Sequence, residues 1–181
     1  MKAKDVDTLP CSIARSAAIV GDRWTMLILR GAFLRTRRFD DFQAQIGLTR
    51  HRLSDRLQRL VKLGVLEKQP YQERPLRYEY KLTEKGRDLY PVLMSMVAWA
   101  DKWLDEGRGP PLEYRHHACG HKFRPVLACS ECGEAIDPRQ VTPMPGPGLV
   151  RASAAAPAPA PTRTSAASPG TRTRAARPRP S

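Results

Sequence analysis

RRFDDFQAQIGLTRHRLSDRLQRLVKLGVLEKQPYQERPLRYEYKLT, residues 37–83, decides the fold. Phe39, Phe42 and Ile46 recur at helical spacing and predict a short helix with one apolar face. Gly47 and Leu48 then form a tight turn. Thr49 is placed to N-cap a second helix, whose apolar positions are Leu53, Leu57, Leu60 and Val61 and which ends at Gly64. After Gly64 the period changes from helical to strand-like. VLEKQPY and RYEYKLT read as two strands joined by the Pro-containing loop QERPL. Helix, tight turn, helix and two-stranded ribbon is the order of a winged helix-turn-helix. The predicted class is mainly α with a small β-ribbon (α+β).

Outward from this segment the helical period continues. Cys11-Ser12 opens an apolar-periodic stretch (Ile13, Ala14, Ala17, Ala18, Val20) that stops at Gly21. Trp24, Leu27, Ile28 and Phe33 mark a second helix. On the other side, Thr83 caps TEKGRDLYPVLMSMVAWADKWLDE, in which Pro91 removes a backbone donor and should kink the helix or split off its first turns. Three regions follow: 1–106, a winged helix-turn-helix with its dimerisation elements; 107–141, a short Cys/His-containing appendage; and 142–181, a Pro/Ala/Arg-rich tail. The tail has no means of burying a core and is expected to be disordered.

The formal net charge is +13 over 181 residues, a footprint suited to a polyanion. Six arginines and no acid lie from Arg151 onward, so seven of the net charges belong to the first 150 residues. No apolar run is long enough to span a bilayer, and MKAKDVDTLPCS has no apolar stretch of the secretory kind. A soluble cytoplasmic protein with no membrane partner is expected. Its four cysteines are then reduced, and serve as ligands, sensors or packing rather than a disulfide framework.

With Leu53, Leu57, Leu60 and Val61 turned inward, the helix over 49–63 carries His51, Arg52, Asp55, Gln58, Arg59 and Lys62 on its opposite face. Arg50 lies in the first turn and Arg56 on the flank. Such a stripe fits a major groove, where Arg donates two bonds to guanine and neutral His one to a base or phosphate. Asp55 is placed to accept from cytosine N4, or to pair with Arg52 or Arg59. In the loop, Arg74 and Arg77 flank Pro75 within reach of phosphates or a minor groove. An ordinary solvated charged helix is the alternative. The turn before it, the ribbon after it and the basic loop favour groove reading, with Thr49, Arg50, His51, Arg52, Asp55, Arg56, Arg59, Arg74 and Arg77 as the candidate DNA contacts.

CSIARSAAIVGDRWTMLILR, RRFDDFQAQIGLTRHRLSDRLQRLVKLGVLEKQPY, RPLRYEYKLTEKG and PVLMSMVAWADKW together resemble the HxlR-type winged helix-turn-helix transcriptional regulators, in order from about Cys11 to Trp103. The family commonly shows Cys-Pro where this chain has Cys11-Ser12. The resemblance implies a bacterial regulator, repressor or activator, that binds operator DNA as a homodimer, with its recognition helix over 49–63 and its wing over 71–77. Leu89, Val92, Leu93, Met96, Val97, Ala100, Trp103 and Leu104 follow a helical stripe with Trp99 beside it. The partner surface is therefore expected on helix 83–105, joined by the first helix. Some relatives use a cysteine at the position of Cys11 to sense oxidants or electrophiles. A helix N-terminus favours a thiolate there, and an unreactive cap residue is the alternative.

CGHKFRPVLACSECG, residues 119–133, holds a C-x-H (Cys119, His121) and a C-x2-C-G (Cys129, Cys132, Gly133). A two-residue spacer lets both thiolates face one ion, and Gly allows the knuckle turn. Cys119, His121, Cys129 and Cys132 are the candidate ligands of one structural zinc, with His116 and His117 as alternative fourth ligands. A reduced hairpin that binds nothing is the other reading. Three cysteines and a histidine on one ion leave no open coordination position, and no H-E-x-x-H, Walker A, G-x-S-x-G or dinucleotide motif is present, so no enzyme is expected. A non-specific basic nucleic-acid-binding zinc protein is the rival function.

Overall fold

The computed structural model describes residues 9–154. They fall into two units, divided between Met144 and Pro145. The first unit opens with α1 (Ser12–Val20) and α2 (Arg23–Phe33), continues through α3 (Phe39–Ile46) and α4 (Arg50–Lys62), and enters a ribbon of β1 (Leu66–Glu73) and β2 (Leu76–Leu82). After the ribbon come the single turn α5 (Glu84–Arg87), α6 (Tyr90–Trp103) and the short strands β3 (Tyr114–Arg115) and β4 (Lys122–Phe123).

The core is the inward stripes of these elements brought together. Ile28 and Leu29 of α2, Phe42 of α3, and Leu53, Leu57 and Leu60 of α4 are buried with Leu48, Val65, Leu66 and Tyr80. Each such side chain contributes about 1.5–3 kcal/mol on removal from water. Leu48 shows how the turn is held: Gly47 adopts φ 72° as the C-cap of α3, and the chain reverses with Leu48 inserted into the core. Gly31 permits the close α2–α3 approach, because a Cβ there would stand 3.1 Å from Cε1 of Phe42. Thr36, also buried, accepts a 2.8 Å bond from Nε2 of Gln45 and ties the loop before α3 to that helix.

Thr83 caps as the sequence predicts: its hydroxyl accepts from the Gly86 amide at 3.1 Å. Pro91 lies in the first turn of α6, and the long helical segment is divided into α5 and α6. The ribbon is tighter than a QERPL loop implies, since Glu73 pairs with Leu76 and only Arg74 and Pro75 turn the chain. It also gains an edge that alternation does not reveal. Arg38 bridges Glu79, and the Tyr80 amide donates to the Arg37 carbonyl at 2.8 Å.

Residues 107–141 lie within the first unit. The second unit carries α7 (Pro147–Ala154), a departure from the disorder expected from 142 onward. Pro147 is pre-set for a first helical turn and the residues after it include good helix formers. The remainder of that expectation, 155–181, lies outside the described residues.

Candidate nucleic-acid interface

α3, the Gly47-Leu48-Thr49 turn and α4 form the helix-turn-helix. Burial of Leu53, Leu57 and Leu60 fixes the rotation of α4 and exposes His51, Arg52, Asp55, Gln58, Arg59 and Lys62. Thr49 sits at the N-cap position, but its side chain accepts no capping bond. The first turn of α4 therefore depends on packing rather than on a hydroxyl cap.

Two cations, Arg50 and Arg52, occupy that first turn with His51 between them, and it contains no acid. This arrangement opposes the helix dipole, whose positive end favours anions and disfavours cations by about 0.3–1 kcal/mol per charge. Arg50 is partly relieved by a 3.1 Å pair with Asp40, a 3.2 Å bond to Gln43 and stacking over Phe39. His51 Nε2 lies 3.4 Å from Asp55 Oδ2, so Asp55 faces His51 rather than Arg52 or Arg59. The exposed Arg52 guanidinium has no protein partner among the described residues. A cation left free at a positive helix end is what an incoming anion or guanine edge requires.

Two of the sequence candidates have different partners. Arg56 turns to Asp22, with Nε donating to Oδ2 at 2.8 Å and Nη2 to Oδ1 at 3.4 Å. Arg59 donates to the carbonyl of Ala18 in α1. Both side chains emerge on the flank of α4 that meets the α1–α2 region, so they fasten the helix to the body of the domain. Charge type alone does not distinguish an arginine that fastens from one that reads.

Asp22 is the counterpart that residue type did not reveal. It is the N-cap of α2, accepts from the Thr25 amide at 3.1 Å, and holds Arg56 at the same time. The Arg56 hydrogen bond, with those from Thr25, lowers its pKa from 3.8 to about 2 against the opposing effect of partial burial. A folded pKa below the unfolded value means that the unfolded chain binds the proton first. The stabilisation is present above the ordinary carboxylate range and is lost as pH falls from about 4 towards 2. Asp22→Ala, which removes both cap and pair, is expected to cost about 1–2 kcal/mol, and Asp22→Asn, which keeps the cap, less than about 1 kcal/mol. Denaturant midpoints at pH 7 check this; equal losses would place the whole effect in the charge pair.

The wing flanks α4. Arg74 and Arg77 are exposed at and beside its tip, as the sequence predicts. Between wing and helices lies a cleft of about 490 Å³, lined among others by Arg38, Asp40, Arg50, Lys68, Tyr71 and Arg77. Arg38 stacks over Tyr71 at 4.7 Å and Lys68 over Tyr78 at 4.0 Å, which holds two further cations on this side of the molecule. Sequence reasoning missed both. Their signal was the alternation of β1, which places Lys68 on the wing surface, and the position of Arg38 directly before α3.

Away from this face, Cys11 is the exposed N-cap of α1 and accepts no capping bond. On α6, Met94 is buried and Leu93 and Val97 are half-buried, whereas Val92, Met96, Trp99 and Trp103 are 45–63% exposed. In the appendage, Cys119 lies beside His116, with Sγ 3.5 Å from Nδ1, and not beside the His121 ring that C-x-H spacing suggests as its partner. Among the described residues no group of three or more His, Cys, Asp or Glu is gathered around one point.

A basic helix set behind a tight turn and flanked by a wing defines a winged-helix DNA-binding protein. Residues 19–108 match the model of the HxlR-like helix-turn-helix family. MT3179 of Mycobacterium tuberculosis, an uncharacterized HTH-type transcriptional regulator, is 47% identical over 137 residues, covering 76% of this chain and 87% of its own. The HTH-type transcriptional regulator YodB of Bacillus subtilis is 33% identical over 91 residues, 50% of this chain and 81% of its own. Among solved structures PA1607, a candidate transcription factor, has a TM-score of 0.68 at 29% identity, covering 76% of this chain and 96% of its own. PA1374 of Pseudomonas aeruginosa, a second candidate transcription factor, has a TM-score of 0.53 at 38% identity, covering 76% and 93%. The chain belongs to the HxlR-like helix-turn-helix family of DNA-binding transcriptional regulators. No described helix is long and apolar enough to cross a membrane.

Proposed function

We propose that the protein binds a pseudo-palindromic operator in double-stranded DNA as a homodimer. Each α4 enters a major groove and each wing rests on the adjacent backbone. The observation that carries this reading is the first turn of α4, with its two arginines, no acid and an Arg52 unpartnered among the described residues. N-terminal residues of a recognition helix are the ones that reach base edges. Two-fold symmetry then sets the half-site centres about one helical turn, or a multiple of it, apart. The reading assigns the chain no catalytic reaction, and chromosomal DNA as its target places it in the cytoplasm.

The test is binding to the promoter next to its own gene, against scrambled duplex and RNA at fixed salt. Preference for the promoter supports an operator-specific regulator. Equal affinity for all three supports instead the non-specific nucleic-acid-binding alternative. Arg74→Ala should weaken specific and non-specific duplex binding alike and reduce the salt slope by about 1, the signature of one lost phosphate contact. A loss confined to the specific site would mean that the wing reads sequence.

Exposure at the start of α1 gives the Cys11 thiol the access an oxidant sensor needs. Comparing the DNA binding of Cys11→Ser and wild-type protein under peroxide tests that role. An identical response would exclude it.

A further inference from the structure

Outside the DNA-binding face, one turn is built twice. In HHACGH, residues 116–121, the His116 amide donates to the His121 carbonyl at 2.9 Å and the Gly120 amide to the His116 carbonyl at 2.7 Å. In CSECGE, residues 129–134, the Cys129 amide donates to the Glu134 carbonyl at 2.8 Å and the Gly133 amide to the Cys129 carbonyl at 2.9 Å. Gly120 and Gly133 both sit in the left-handed region, at φ 74° and 76°. Each turn also closes a short antiparallel pairing, β3 with β4 in one case and Ala128 with Ala135 in the other. This register makes His116 equivalent to Cys129, Cys119 to Cys132, and His121 to Glu134.

The equivalence chooses among ligands that spacing left open. In the second turn the two thiols occupy the first and fourth positions, the geometry of a metal knuckle. In the first turn those positions belong to His116 and Cys119, already 3.5 Å apart at Nδ1 and Sγ. His121 falls at the sixth position, where the residue's contribution is its backbone carbonyl. A second observation points to a ligand: no residue from 107 to 144 is buried, so these hairpins have no hydrophobic core of their own. Elements this small ordinarily need a disulfide or a metal to hold them, and all three cysteines here are free.

We propose that the two turns are the halves of a closed structural zinc site formed by His116, Cys119, Cys129 and Cys132. Three thiolates and one imidazole are a donor set suited to tetrahedral zinc, with no open position for catalysis. The halves are preformed as pairs, and the metal draws them together. Residues 124–126 between them lie outside β3 and β4 and outside the backbone hydrogen bonds of the second hairpin.

Elemental analysis of full-length protein, purified reduced and without added zinc, tests the site. About one zinc per chain is expected. His116→Ala and Cys132→Ser should lose it while His121→Ala keeps it, with far-UV circular dichroism confirming that the helix-turn-helix stays folded in each. Cobalt(II) added to metal-stripped wild-type protein should give thiolate charge-transfer bands and the intense visible bands of tetrahedral coordination. Absence of both zinc and the cobalt signature would overturn the proposal, as would zinc that survives His116→Ala and is lost in His121→Ala.

Discussion

Trp99→Glu is expected to leave the protein monomeric at micromolar concentration and to lower operator affinity by roughly 10²–10⁴-fold, the avidity lost when two linked half-sites become independent. Trp99 is 59% exposed and stands in a stripe with Val92, Met96 and Trp103 on the outer side of α6. Those four positions are separated by four, three and four residues, so they stack along one face. The inner face of the same helix is used by Leu93, Met94 and Val97. The two exposed tryptophans together offer roughly 200–300 Å² of ring surface, whereas a stable interface covers about 800 Å² per partner. The remainder must come from neighbouring apolar surface. α1 is suited to this, because none of its residues is buried and Ile13 is 77% exposed. A charge at Trp99 leaves the core untouched, so the variant should keep wild-type stability within about 0.5 kcal/mol. Sedimentation and gel-shift titration read the two effects. A dimeric variant would move the partner surface elsewhere, and a monomeric wild type would overturn the homodimer.

Arg52→Ala is expected to weaken operator binding by roughly 5- to 150-fold while changing non-specific duplex binding much less, since a bidentate arginine–guanine contact discriminates by about 1–3 kcal/mol. The comparison that gives this result meaning is Arg59→Ala on the same helix. Arg59 spends its guanidinium on the Ala18 carbonyl, whereas Arg52 has no protein partner among the described residues. The Arg59 variant should therefore lose affinity mainly through a loosened helix and show no change in sequence preference. If both variants lose specific binding equally, the face that reads bases extends further along α4 than its first turn and a half.

Most of the helix-turn-helix is legible in the chain because its constraints are local. Leu53, Leu57 and Leu60 recur with the helical period, Gly47 supplies the one left-handed residue the turn needs, and the alternation after Gly64 announces the ribbon. The candidate site is legible only in outline. Arg50, Arg52, Arg56 and Arg59 share residue type and helix, but Arg52 has no partner among the described residues and those of the other three lie at different distances in sequence. Arg50 meets Asp40 ten residues away, Arg56 meets Asp22 thirty-four away, and Arg59 meets the Ala18 carbonyl forty-one away. No window of sequence contains those pairings. The two turns of the appendage show the same division, for C-x2-C-G spacing marks the second, whereas only the hydrogen-bond register identifies His116 as the counterpart of Cys129.

By itself, then, the sequence determined the order of elements, the rotation of α4 that turns its basic stripe outward, and the family to which the chain belongs, because periodicity, capping and turn chemistry act over a few residues. Tertiary structure alone decided which cations are free to meet DNA, that Asp22 both caps α2 and fastens α4, that α6 divides its apolar surface between two faces, and which histidine takes the position equivalent to Cys129. Each of those depends on what long-range packing brings within about 3–4 Å, and hydrogen bonds and ion pairs act only at that range.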